Sequence, residues 1–168
     1  KTNVNSFYDL LKIAKKNQSV MVYASSAATY GGLPSPQVEG NESPENPYGY
    51  SKLLMDQIAF RYANENPNMT IVGLRFFNVY GPREFYKAKT SSMIIQLGHQ
   101  ILANKSPRLF ENSNKILRDF VFIEDVVQAN IKACNAKING TYNVGTGIPR
   151  SFKDIVDILQ KELTTSLN

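Results

Sequence analysis

The chain of 168 residues is 42% hydrophobic and 20% charged, room for one ordinary hydrophobic core and too mixed in charge for a disordered tail, so a folded, soluble protein is expected. No apolar run approaches the roughly 20 residues of a membrane span and no charged start leads into an apolar signal segment, so the cytoplasm is the default compartment and a membrane is not an expected partner. The net charge of +5 comes from Lys and Arg scattered without a basic block or a nucleic-acid motif; an anionic small ligand explains it as well, and nucleic acid is not an expected partner either.

Residues 4–17 read as a helix, and 19–24 as a short strand rich in β-branched and aromatic residues, as a buried parallel strand requires. A loop with Gly31, Gly32, Pro34, Pro36, Pro44 and Pro47 leads into a long helix over about 48–64, ended by Asn66 and Pro67. Residues 70–80 read as the next strand, stopped by Gly81 and Pro82. A helix over 91–102, short strands over 108–110 and 117–123, an amphipathic helix over 124–136 with Glu124 or Asp125 as its cap, a strand over 141–144 and a helix over 151–163 capped by Ser151 complete the reading. Helices that separate strands in this way predict an α/β fold with a doubly wound parallel sheet.

Cysteine and histidine each occur once, as Cys134 and His99, which excludes an internal disulfide and argues against a metal site. Val127, Ile131 and Cys134 recur at helical spacing, so the cysteine is expected in the core. Gly145 and Gly147 are expected to form a tight turn.

Tyr48 and Lys52 lie four apart where the long helix opens, which places their side chains on one face. A free phenol titrates at about 10, too high for a base at neutral pH, and an adjacent ammonium favours its ionised form. The pair is thus a candidate proton shuttle. Tyr8 and Lys12 have the same spacing within an ordinary amphipathic run, whereas Tyr48 follows a Pro-rich loop, the kind of edge where active residues gather. Two further segments also sit at strand ends: Ser25-Ser26-Ala27-Ala28-Thr29-Tyr30-Gly31 and Arg75-Phe76-Phe77-Asn78-Val79-Tyr80-Gly81-Pro82-Arg83. In an open α/β sheet the carboxyl ends of strands form the ligand crevice, so the three segments are expected to converge there.

With these three segments in order, the chain resembles the extended short-chain dehydrogenase/reductase superfamily of nucleotide-sugar enzymes. Within it, residues 23–32, 48–52, 78–84 and 117–121 are most similar to the ADP-L-glycero-D-manno-heptose 6-epimerases. The resemblance implies a Rossmann-like domain over 1–77 and 119–148 and a smaller α/β substrate domain over 78–118 and 149–168. No G-x-G-x-x-G is present and the first residue is not Met, so part of the N-terminal domain is expected to be missing from the sequence.

The resemblance also implies roles. Tyr48 would exchange the substrate proton, Ser26 would hydrogen-bond the reacting oxygen, and Lys52 would hold the nicotinamide ribose. Epimerisation removes a hydride from one face of a carbon and returns it to the other, so a second proton-handling group is needed, and Lys87 falls at that position. NADP, with NAD possible, would contact Lys52, Val79 and Lys87. An ADP-heptose substrate would contact Asn78, Lys89, Gln96, Phe110, Glu111, Asn112, Ser113 and Arg118, the last through its planar fork. At Lys89, Gln96 and Asn112 the family usually has Ser, His and Gly. A homo-oligomer is implied as well. The alternatives are another nucleotide-sugar 4-epimerase or 4,6-dehydratase, or a non-catalytic sugar-nucleotide-binding fragment. A dehydratase should carry an Asp-Glu pair between the hydroxyl residue and Tyr48, and none is present.

Overall fold

The structure, a computed structural model, describes residues 2–166. They fall into two compact units, one of residues 2–77 with Val126–Val144 and one of Asn78–Asp125 with residues 145–166.

The first unit is a three-stranded parallel sheet covered on both faces. Its strands are β1 (Met21–Ser26), β2 (Ile71–Phe76) and β5 (Gly140–Val144), in the order β1-β2-β5. Side chains alternate along a strand, and the alternation sorts two cores. Tyr23 and Ile71 pack under α1 (Thr2–Lys16) and α2 (Pro47–Glu65), against Phe7, Leu11, Ile58 and Ala59. Val72 and Leu74 point the other way, to Ala129 and Ala133 of α4 (Ile123–Ala133). The result is the helix-sheet-helix layering expected of a doubly wound α/β fold.

Local chemistry fixes where α2 begins. Asn46 is its N-cap, with Oδ1 accepting from the Gly49 N–H at 2.8 Å, and Pro47 follows at the first helical position, where a missing N–H costs nothing. Gly49 is there for space. A Cβ at that position would lie 2.4 Å from the Ala28 carbonyl oxygen, so only glycine lets the helix start rest against the turn that follows β1.

The second unit has a three-stranded sheet in the order β3-β4-β6. In it β3 (Asn78–Tyr80) is parallel to β4 (Leu117–Phe122), and β6 (Pro149–Ser151) is antiparallel to β4. Leu97 of α3 (Met93–Leu102) packs with Ile155 and Val156 of α5 (Phe152–Ser166). Phe152 meets Phe110 and Phe120 edge-on, with ring centroids 5.1 and 5.8 Å away. Ser151 caps α5 as expected: its Oγ accepts from the Asp154 N–H at 3.0 Å, and the Asp154 carboxylate accepts from the Ser151 N–H at 2.8 Å.

Four expectations are corrected. Residues 70–80 are two strands in different sheets, because the chain leaves β2 at Phe77, whose N–H donates to the Val144 carbonyl, and starts β3 at Asn78. Residues 108–110 form no strand; the Arg108 N–H donates to the Gln100 side chain instead of a ladder partner. Glu124 and Asp125 lie in the first turn of α4 and do not cap it, since the helix already starts at Ile123. Cys134 is exposed, as are Val127 and Ile131. The face of α4 that meets the sheet is the small one, Ala129 and Ala133, because alanines let helix and sheet approach closely.

Candidate active site

Ser26 ends β1 and caps the short 3-10 turn Ala27–Tyr30, its Oγ accepting from the Ala28 N–H at 3.2 Å. Tyr48 stands in the first turn of α2, its side chain half exposed. One turn further on, the Lys52 ammonium lies 5.7 Å from the centroid of the Tyr48 ring and donates to the Ala24 carbonyl of β1 at 2.9 Å. The contact of Gly49 with Ala28 closes the circle. Strand end, turn and helix start are thus brought together around Ser26, Tyr48 and Lys52. Burial lowers the Lys52 pKa below that of an ordinary lysine, and the charge of Asp56 works against that shift. The competing pair differs: Lys12 forms an exposed ion pair with Asp9 at 3.4 Å.

A buried polar network underlies this arrangement, and sequence reasoning did not identify it. Asp56, one turn beyond Lys52, accepts from the Tyr23 hydroxyl at 2.8 Å, the Ser25 hydroxyl at 3.0 Å and the Arg75 Nε at 3.0 Å. Arg75 also donates to Glu42 at 2.5 Å and to the Tyr30 hydroxyl at 2.9 Å, and Tyr30 in turn donates to Asn143 at 2.7 Å. Burial and the neighbouring Asp56 raise the Tyr23 pKa, so Tyr23 serves as a donor. For Glu42, burial favours the protonated acid, but hydrogen bonds from the Gly40 N–H and Arg75 outweigh it and hold the carboxyl below the usual range. Two signals were available: Arg75 is a charge within an otherwise apolar strand, and Asp56 continues the Tyr48 and Lys52 face at four-residue spacing. A cleft of about 640 Å³ borders this network, lined by Tyr23, Asp56, Arg75, Phe60 and Thr141, and includes none of Ser26, Tyr48 and Lys52.

The other predicted residues lie in the second unit. Asn78 opens β3 and donates through Nδ2 to the Asp119 carbonyl at 3.1 Å; Val79 is half-buried beside Val121. Lys87 lies in the 3-10 segment Glu84–Thr90, its side chain 58% exposed and its ammonium 3.9 Å from Glu84. Lys89 and Gln96 are adjacent, Gln96 Nε2 donating to the Lys89 and Ser91 carbonyls at 3.3 and 2.8 Å, and both line a cleft of about 430 Å³ with His99 and Phe85. Phe110, Glu111, Asn112 and Ser113 form a turn in which Asn112 has φ 58. That left-handed backbone explains the usual Gly of the pattern, and Asn is among the few other residues that adopt it readily. Arg118 is exposed on β4, paired with Arg150 across the sheet and donating to the Leu117 carbonyl at 2.7 Å. Gly147 has φ 76, and the Asp119 carboxylate, also missed, ties its turn by accepting from the Thr146 and Gly147 N–H groups at 2.9 and 2.7 Å.

Among the described residues no helix is long and apolar enough to cross a membrane. Comparison with solved structures gives close matches over almost the whole chain. The ADP-L-glycero-D-manno-heptose-6-epimerase of Helicobacter pylori is 51% identical with a TM-score of 0.89, over 96% of this chain and 51% of that one. The UDP-N-acetylglucosamine 4-epimerase of Methanobrevibacter ruminantium, solved with UDP-N-acetylmuramic acid, is 27% identical with a TM-score of 0.88, over 96% and 53%. The UDP-glucose 4-epimerase of Thermus thermophilus, solved with NAD, is 25% identical with a TM-score of 0.78, over 95% and 53%. The chain therefore spans about half the length of these structures. The model of the NAD dependent epimerase/dehydratase family matches residues 1–145, and the chain belongs to that family.

Proposed function

We propose that this chain is part of an enzyme that epimerises C-6 of the heptose in ADP-D-glycero-D-manno-heptose, giving the L-glycero epimer for the inner core of lipopolysaccharide in the cytoplasm. The observation that carries the chemistry is the meeting of Tyr48, Lys52 and the Ser26 strand end around one helix start. The choice of sugar rests on the 51% identity with the Helicobacter pylori enzyme. In this reading Tyr48 exchanges the proton of the C-6 oxygen in one orientation of the sugar, taking it as the hydroxyl is oxidised or giving it as the ketone is reduced, and Ser26 hydrogen-bonds the same oxygen. Once the ketone has turned over, Lys87 serves the opposite orientation.

The residues fit a nicotinamide dinucleotide. An ammonium has three donors and the Ala24 carbonyl takes one, so Lys52 can still donate to ribose hydroxyls. Val79 and Lys87 would complete its contacts within this chain. NADP, or NAD in its place, would supply hydride acceptance and return. For the sugar nucleotide, Arg118 offers a planar fork to the diphosphate, with Asn78, Lys89, Gln96 and the 110–113 turn around the remainder.

A binding assay on the full-length protein tests the substrate reading by comparing ADP-sugars with UDP- and dTDP-sugars. Tight binding of ADP-heptose with no binding of UDP-sugars is expected. The reverse would overturn the assignment and favour a 4-epimerase. An absorbance scan for co-purified nicotinamide separates both from a non-catalytic binding module, in which none would be found.

A further inference from the structure

A buried carboxylate closes the segment that carries Lys87. Glu84 is only 6% exposed, and four groups converge on it. Its Oε1 accepts from the Gly81 N–H at 3.1 Å and from the Ser92 hydroxyl at 2.8 Å; its Oε2 accepts from the Ser92 N–H at 2.7 Å and lies 3.9 Å from the Lys87 ammonium. Gly81 and Ser92 are the two ends of the 81–92 stretch, and Ser92 is also the N-cap of α3. Between them the backbone enters the left-handed region at Arg83, φ 69, and Ala88, φ 45. Residues other than glycine keep such conformations only where the surroundings hold them. Burial favours the protonated acid, but the donors from Ser92 and Gly81 and the charge of Lys87 outweigh it and keep Glu84 ionised.

We propose that Glu84 is a positioning residue for Lys87: its bonds to Gly81 and Ser92 fix the 81–92 segment, and its charge anchors an ammonium that otherwise projects into solvent. The inference rests on the reading of Lys87 as the second proton-handling group. A long exposed lysine side chain samples many rotamers, so an anchor near its ammonium changes how often it reaches a reacting atom.

The test is a double-mutant cycle in the full-length holoenzyme: Glu84→Gln, Lys87→Met and both together, with kcat and KM measured for epimerisation of ADP-heptose and amide exchange followed by mass spectrometry. Glu84→Gln keeps the side-chain shape but sets an NH2 against the Ser92 N–H and Lys87. Expected are a fall in kcat of up to about 10²-fold, as for a small misplacement of a reacting group, an unchanged KM, and faster exchange confined to 81–92. The double variant should be no slower than Lys87→Met alone. If the two losses multiply, Glu84 does not act through Lys87 and the proposal is overturned; an unchanged kcat in Glu84→Gln overturns it equally. Full activity in Lys87→Met refutes the reading of Lys87 itself, and with it the proposal, in a variant where Glu84 is untouched. Should Glu84→Gln not fold, Ser92→Ala removes one donor from the carboxylate, and the same cycle applies.

Discussion

Replacing Asp56 by Ala removes the centre of the network beneath α2. Asp56 and Arg75 have side chains 5% and 3% exposed, and the Arg75 Nη2 lies 2.9 Å from Asp56 Oδ2. Taking away one member of a buried pair costs about 3 to 5 kcal/mol, because the other charge stays buried. Two hydroxyls, of Tyr23 and Ser25, also lose their acceptor, at about 1 kcal/mol or more each where water does not replace it. Glu42 still pairs with Arg75 and offsets part of this. The net loss should be on the order of 4 kcal/mol, a large share of the roughly 5 to 15 kcal/mol that holds a domain together. Urea titration of the full-length protein measures it. Asp157→Ala is the control, since it removes an exposed pair with Lys153 at 2.8 Å and should leave the midpoint nearly unchanged. If Asp56→Ala behaved like Asp157→Ala, the network would not hold the site together as described.

Gly49→Ala should cost about 1 to 3 kcal/mol in a denaturation midpoint and lower kcat as well, since the added Cβ meets the Ala28 backbone and displaces the helix start that bears Tyr48. Asn112→Val should cost about 1 to 2 kcal/mol at an exposed position where packing is untouched, and Asn112→Gly should cost nothing, because only the left-handed backbone distinguishes them. Glu42 and Glu84 both titrate below the ordinary value of 4.5. On acidification the unfolded chain therefore takes up protons first, so their stabilisation is complete above about 4.5 and is lost as the pH falls through their lower values. Thermal midpoints should drop on that descent, less steeply in Glu84→Gln; a rise would contradict the assignment.

Helix periodicity and caps made α1, α2, α3 and α5 legible, because each repeats apolar residues at three and four and ends in residues that favour caps or turns. The strand pattern over 70–80, mostly apolar with Arg75 and Asn78 inside it, hid the switch of sheets at Phe77: nothing in such a run says which neighbour each residue will pair with. The β6 strand consists of three residues beginning with Pro149 and has too little pattern to be read. Tyr48, Lys52 and Ser26 were legible as motifs. Asp56, Glu84 and Asp119 were not, because an acidic residue in sequence looks like any solvated charge until its donors, at positions 23, 25 and 75, 81 and 92, or 146 and 147, are folded onto it. The cysteine misreading has the same origin. A 3.6-residue period identifies two candidate faces on α4, and only the sheet decides that the alanines face inward.

In the proposed mechanism Tyr48 exchanges the proton of the sugar hydroxyl. The decisive measurement is turnover of ADP-D-glycero-D-manno-heptose by full-length Tyr48→Phe, with folding and bound cofactor checked on the same sample. A loss of about 10²- to 10⁴-fold in kcat is predicted with binding retained. Turnover at the unmodified rate by a folded, cofactor-loaded Tyr48→Phe would contradict it.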